Sequence, residues 1–299
     1  MKQRLLIIFF VLFAINLTSA QAWMTNLEIA QRLALVQNKM VLMVWEETTS
    51  YEYPVLVKDK KGRTIFINNL FEDEYISPLI WEHFVPVIVS EDRYADLYEK
   101  IKGKRSQKYI DKFNDDTIKI MDVNGNIVNT DYLVEDFQNV TNIINQYAFD
   151  TSFLEEELNN YRKDKNFFSA YYLASKYLDI ALYTGRKVRS NIVELSNIYL
   201  DEAKALVVEQ EIKERDALRQ RCELLKLQEF ILLRRPKKAV RALKKIDEET
   251  IAESNKSFVA FLYYTAYMSM DKYDDAEPWK SKISSLNLKK AQKLINLNT

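Results

Sequence analysis

Among 299 residues the chain has one cysteine, Cys222, and one histidine, His83. A single thiol excludes an intrachain disulfide, so stability has to come from packing. It also leaves no Cys-x-x-Cys pair, which needs one thiol made acidic at a helix N-terminus and a second to resolve the mixed disulfide. A lone imidazole without partners builds neither a typical zinc site nor a Ser-His-Asp triad. An excess of either charge is missing too. The 43 Lys and Arg equal the 43 Asp and Glu, and neither half is basic enough to indicate nucleic acid. Glycine and proline are scarce, at 4 and 5, while 47% of residues are apolar and 29% charged, a globular composition and not a disordered one.

The longest apolar run, Leu5 to Leu17, follows Lys2 and Arg4 and precedes the small-residue stretch Thr18 to Ala22. That order is a secretory signal peptide over residues 1–20, cleaved after Ala20 or Ala22. No cysteine follows the cleavage region, so a lipid anchor there is not indicated. The expectation is a periplasmic protein with no integral membrane segment after cleavage.

Charge divides unevenly along the rest. Residues 21–150 hold 14 Lys and Arg against 21 Asp and Glu, and residues 151–299 hold 27 against 22. The first part reads as α/β. Asn26 to Val36 places Leu27, Ala30, Leu33, Ala34 and Val36 on one side of a helical period, with Thr25 or Asn26 as cap. Met40 to Trp45 is a continuous apolar run of strand length, buried on both faces. Lys58 to Gly62 is a turn before a short strand, Thr64 to Ile67. Glu72 to Trp81 reads as a helix broken near Pro78, and His83 to Val89 as a second buried strand whose Pro86 argues for an edge. Glu91 to Lys102 is helical and Lys102 to Lys108 a polar loop. Thr117 to Met121 and Asn126 to Asn129 flank an Asn-Gly turn, a strong hairpin signal. Tyr132 to Tyr147 closes this part as a helix.

From about Thr151 the pattern is helical throughout, over Phe153 to Tyr183, Ile192 to Leu233, Pro236 to Ile246 and Phe258 to Ile283. Tyr171, Tyr172, Tyr177, Tyr263, Tyr264 and Tyr267 fall mostly on core positions by spacing. Three places suggest a helix, a tight turn and a second helix opening near a small residue. Ala239 and Ala276, 37 positions apart, fall near the repeat length of about 34 of tetratricopeptide helical hairpins. Residues 151–299 are therefore expected to be a tetratricopeptide-like helical-repeat domain.

Asn38-Lys-Met-Val-Leu42, the strand to Trp45, the strand Phe84 to Val89 and Asp122-Val-Asn-Gly125 together make residues 23–148 resemble the thioredoxin-like domains of secreted bacterial proteins. The resemblance implies a thioredoxin-like fold with its active site just after Trp45. It also marks two departures. Thr48 to Tyr51 stands where that family's cysteine pair would be, and Asp115 to Ile118 where a cis-proline would shape substrate binding. The family's oxidoreductase activity is therefore not carried over.

Cys222, in a helical context, reads as a buried inert thiol; exposed, it would offer a link to another chain. Glu46, Glu47 and Glu52 form a carboxylate-rich loop that reads as solvated, with acid–base work or a hard cation as the alternative. Asp122 to Asn126 resembles half of a calcium loop, but Leu133 stands where the bidentate Glu belongs. Arg234, Arg235, Lys237 and Lys238, with Arg241, Lys244 and Lys245, form the densest basic patch, set around Pro236 at a helix start. No catalytic residue, metal or cofactor is assigned. The expected function is non-enzymatic recognition of another envelope protein or peptide, with Glu46, Glu47, Tyr51, Tyr53, Arg234, Arg235, Lys237 and Lys238 as candidate contact residues. The alternatives are a carboxylate enzyme or metal module, and a thiol-linked role through Cys222.

Overall fold

The computed structural model describes residues 22–131, 137–209 and 214–299. The expected signal peptide, Leu133 with the opening of the expected helix Tyr132 to Tyr147, and residues 210–213 within the expected helix Ile192 to Leu233 lie outside them. The chain divides into two compact units, Met1–Thr151 and Ser152–Thr299. Small mixed sheets flanked by helices make up the first, and helices the second. No helix of the described residues is long and apolar enough to cross a membrane.

In the first unit, Asn26 caps helix α1 (Leu27–Gln37) by accepting from the Ile29 N–H at 3.0 Å. Ala30 and Ala34 are its fully buried face, and the helix packs on the sheet. Val36, expected on that face, is 79% exposed; its place two residues past Ala34 turns it away. Asn38 ends the helix at φ 55°, with the Lys39 N–H reaching the Ala34 carbonyl at 2.9 Å, a Schellman turn that Asn tolerates.

Strand β1 (Met40–Trp45) follows at once and is buried at every position. Each of Val41, Leu42, Met43 and Val44 is removed from water, worth roughly 1.5–3 kcal/mol apiece. The hairpin β2 (Val55–Lys58) and β3 (Thr64–Ile67) turns through Gly62 at φ 78°. Helix α2 (Ile76–His83) runs into β4 (Phe84–Val89). Pro78 does not break α2, because it is the third helical residue and its missing N–H would have had no acceptor in the helix. Helices α3 (Tyr94–Ile101) and α4 (Gln107–Asn114) precede β5 (Lys119–Met121). The sheet order is β4-β1-β5, with β4 parallel to β1 in the register Met40↔Phe84 to Trp45↔Val89 and β5 antiparallel. Pro86 is thus on an edge strand, and its carbonyl accepts the Met24 N–H at 3.1 Å. A second sheet, β3-β2-β6, adds Gln138–Asn139 as β6 before α5 (Val140–Tyr147).

The expected hairpin forms its turn but only half its ladder. Gly125 has φ 86°, and Asp122 Oδ1 accepts the N–H groups of Asn124 and Asn126, both at 2.9 Å. This turn accounts for the calcium-like sequence. Beyond one bridge, Met121↔Ile127, the second strand is replaced by a side chain. Buried Asn129 accepts from the Ile120 N–H at 2.8 Å and donates to the Ile118 carbonyl at 2.9 Å.

The second unit contains α6 (Glu155–Lys163), α7 (Phe167–Ala181), α8 (Arg186–Glu209), α9 (Arg215–Leu232), α10 (Pro236–Leu243), α11 (Lys256–Met268), α12 (Tyr273–Lys280) and α13 (Ser285–Asn298). Consecutive helices from α6 to α12 pack on each other, and α13 packs on α9 and α11. Small residues let backbones approach: Ser196 on α8 donates to the Ala174 carbonyl of α7 at 2.7 Å. Of the tyrosines read as core, Tyr171, Tyr177, Tyr263, Tyr264 and Tyr267 are buried, while Tyr172 is exposed.

The two hairpins α9–α10 and α11–α12 share one turn. Arg234 and Asp271 are both left-handed, at φ 61° and 57°. The Arg235 N–H reaches the Phe230 carbonyl at 2.6 Å, and the Lys272 N–H reaches the Tyr267 carbonyl at 3.1 Å. Buried Ala239 and Ala276 then take the fourth place of the following helix. Each pair is separated by the same 37 positions noted in the sequence.

Candidate functional site

The end of β1 carries the site. Trp45 is nearly buried; its indole Nε1–H donates to the Phe113 carbonyl at 2.9 Å, and its ring meets Phe113 and Tyr94 at centroid distances of 5.3 and 5.8 Å. The chain then enters a 3₁₀ turn, Glu46–Ser50. Thr48 is buried and donates to the Trp45 carbonyl at 2.6 Å, while Thr49 donates to that of Glu46 at 2.8 Å. These hydroxyls close the turn, in the position where the sequence resemblance placed a cysteine pair.

Glu46, Glu47 and Tyr51 face solvent, Tyr51 at 68% exposure. The Glu47 N–H is held by Glu91 at 2.8 Å, which brings the acidic end of β4 beside the turn. Glu52 is exposed, and no group of three His, Cys, Asp or Glu among the described residues is placed to hold a metal ion. Tyr53, offered by the sequence as a contact residue, is half-buried, donates to the Asp116 carbonyl at 3.0 Å and accepts from Gln138. Burial raises its pKa well above the ordinary phenol value. Tyr53 therefore ties the turn to the segment before β5.

That segment holds a cluster the sequence did not reveal. Lys119 is wholly buried and Lys112 nearly so, and both ammonium groups converge on Asp115, at 3.2 and 3.4 Å. Lys119 also donates to the carbonyls of Asp115 and Thr117, and Lys112 to the Thr117 hydroxyl. Asp115 further accepts the Thr117 N–H at 2.9 Å and its hydroxyl at 2.6 Å. Burial draws Lys119 down to about 8, against the pull of Asp115, and lowers Lys112 as well. Burial alone would raise Asp115, but the two lysines together with the hydrogen bonds from Thr117 outweigh it and its pKa is lowered. The three donors of Lys119 are all directed at protein acceptors, so the cluster pins residues 115–119.

Cys222 is fully buried, and burial pushes its thiol up to about 12. A disulfide to another chain has no accessible sulfur here. His83 ends α2, half-buried.

The second set of candidates sits in the helical unit, at the turn between α9 and α10. Arg234, Arg235, Lys237 and Lys238 are exposed, with the Lys238 ammonium 4.3 Å from the Phe230 ring centroid. Arg189, which the sequence reading did not include, lies near them. Its guanidinium is buried, donating to the Ala181 carbonyl at 3.0 Å and the Thr184 carbonyl at 2.8 Å. Burial, and then the like charges of Arg234 and Arg186, hold its pKa below the ordinary value. Compared with protein-family models, with curated proteins and with solved structures, the chain matches none.

Proposed function

We propose that this protein is a non-enzymatic, periplasmic interaction protein, built on a redox-inactive thioredoxin-like domain followed by a tetratricopeptide-like helical domain. The observation that carries the reading is the end of β1. A buried Trp45 leads into a turn closed by Thr48 and Thr49 that displays Glu46, Glu47 and Tyr51, while the one thiol is buried in the other unit. The sheet order β4-β1-β5, with β5 antiparallel, supports the thioredoxin-like assignment. The turn repeated at a 37-residue offset supports helical-hairpin repeats. An exposed Tyr flanked by carboxylates, on a turn fixed by hydrogen bonds, gives contact area at low entropy cost. The partner is another envelope protein or peptide.

The test is crosslinking and pull-down from the native envelope with the full chain and with the triple variant Glu46→Ala, Glu47→Ala, Tyr51→Ala. A partner captured by the wild type and lost by the variant supports the reading. Catalysis of insulin reduction or thiol exchange by the purified protein overturns it.

A further inference from the structure

The turns after α9 and α11 have one backbone and opposite charge. Where the first reads Arg234, Arg235, Pro236, Lys237 and Lys238, the second reads Asp271, Lys272, Tyr273, Asp274 and Asp275. Both make the same left-handed residue, the same long-range N–H bond and the same buried alanine. The fold therefore does not require the cations. In the second turn Lys272 faces Asp275 at 3.8 Å; in the first, no cation has a carboxylate partner among the described residues. Arg186 and Arg189, in the first turn of α8, add their charge near Arg234. Concentrating like charge this way opposes folding, and an anion would relieve it.

The surface offers charge and little else. Leu233 and Pro236 are half-buried and Ala239 and Val240 buried, so no large apolar side chain protrudes between the cations. A membrane surface is held best where apolar groups insert beside the basic ones; that element is missing from the α9–α10 turn, and the exposed Tyr183 near Arg186 has its hydroxyl engaged by Lys293. Guanidinium groups on fixed backbone favour planar, bidentate carboxylates.

We propose that the basic face formed by Arg186, Arg234, Arg235, Lys237 and Lys238 binds an acidic polypeptide segment bearing closely spaced Asp or Glu. The inference rests on the interaction reading above and names the chemistry of one partner.

The test uses the full chain and fluorescein-labelled polyglutamate, followed by anisotropy over a salt series. The variant Arg186→Gln, Arg235→Gln, Lys237→Gln removes three exposed charges and no core contact. Each charge is worth a factor of about two to three, so the dissociation constant rises roughly tenfold. A control, Lys272→Gln, Lys280→Gln, Lys282→Gln, takes the same charge from the same unit and leaves binding unchanged. The inference is overturned if the first variant binds polyglutamate as the wild type does. It is overturned equally if polyglutamate does not bind, including the case where only phosphatidylglycerol vesicles or polyphosphate do. An envelope partner captured by both wild type and this variant removes this inference and leaves the interaction reading standing.

Discussion

Replacing Lys119 by Met tests the buried cluster behind Trp45 through the pH dependence of stability. In the folded chain the amine titrates at about 8 against an ordinary 10.5. Between those values the unfolded lysine holds a proton that the folded one has released, so stability climbs with pH and is lost as pH falls through 8. The linkage relation gives a gain of roughly 1.3 kcal/mol between about pH 7 and pH 9, approaching about 3 kcal/mol near pH 11. Lys119→Met lacks this contribution. At neutral pH its own balance is small, because relief of the crowded positive charge offsets donors lost to two carbonyls. Urea unfolding followed by tryptophan fluorescence is the assay, since Trp23, Trp45 and Trp81 belong to the first unit and only Trp279 to the second. Cys222, raised to about 12, lowers stability above its ordinary value in both proteins and cancels in the difference. Wild-type and Lys119→Met stabilities that run parallel from pH 7 to 9 would refute the buried, charge-crowded amine.

Other outcomes follow from single contacts. Asn129→Ala strands the Ile118 carbonyl and Ile120 N–H and costs about 2–4 kcal/mol in the same urea assay. Glu229, buried on α9 and helped by Asn197 at 3.2 Å and Lys226 at 3.4 Å, is raised by burial from 4.5 to about 7. Its proton is held by the folded chain after the unfolded chain has lost it, so its stability contribution, present below 4.5, disappears as pH rises to 7. Glu229→Gln removes that fall and gains about 2–3 kcal/mol at pH 8 relative to pH 4.5, read by circular dichroism during unfolding. Cys222 resists maleimide in native buffer and reacts fully in denaturant; labelling at native rates equal to those of a free thiol contradicts its burial.

The parts of the fold legible in sequence were those where one local rule decides. The apolar run Met40 to Trp45 gave a strand buried on both faces, Pro86 an edge, and Asn124-Gly125 a turn. An α/β part followed by a helical one was likewise readable from periodicity. Helix α4 was not, because Gln107 to Asn114 shows only Tyr109, Ile110 and Phe113 as apolar positions, while its buried face also uses Lys112. The cluster was hidden for the same reason. Lys119 alternates with Ile118 and Ile120, which in sequence places it on a solvent face, whereas this strand is buried at every position. The second hairpin strand failed because Asn129 supplies its hydrogen bonds from a side chain. The hydrogen bonds that tie Tyr53 down were hidden because its partners, Asp116 and Gln138, are far away in sequence.

The central claim is that the turn after Trp45 is a recognition surface. A photocrosslinking phenylalanine analogue placed at Tyr51, with the still more exposed Tyr75 as a control position in the same unit, tests it in the native envelope. The account predicts one discrete heavier species from position 51, suppressed by excess unmodified protein, and none from position 75. The same products from both positions, or none from position 51, would contradict it.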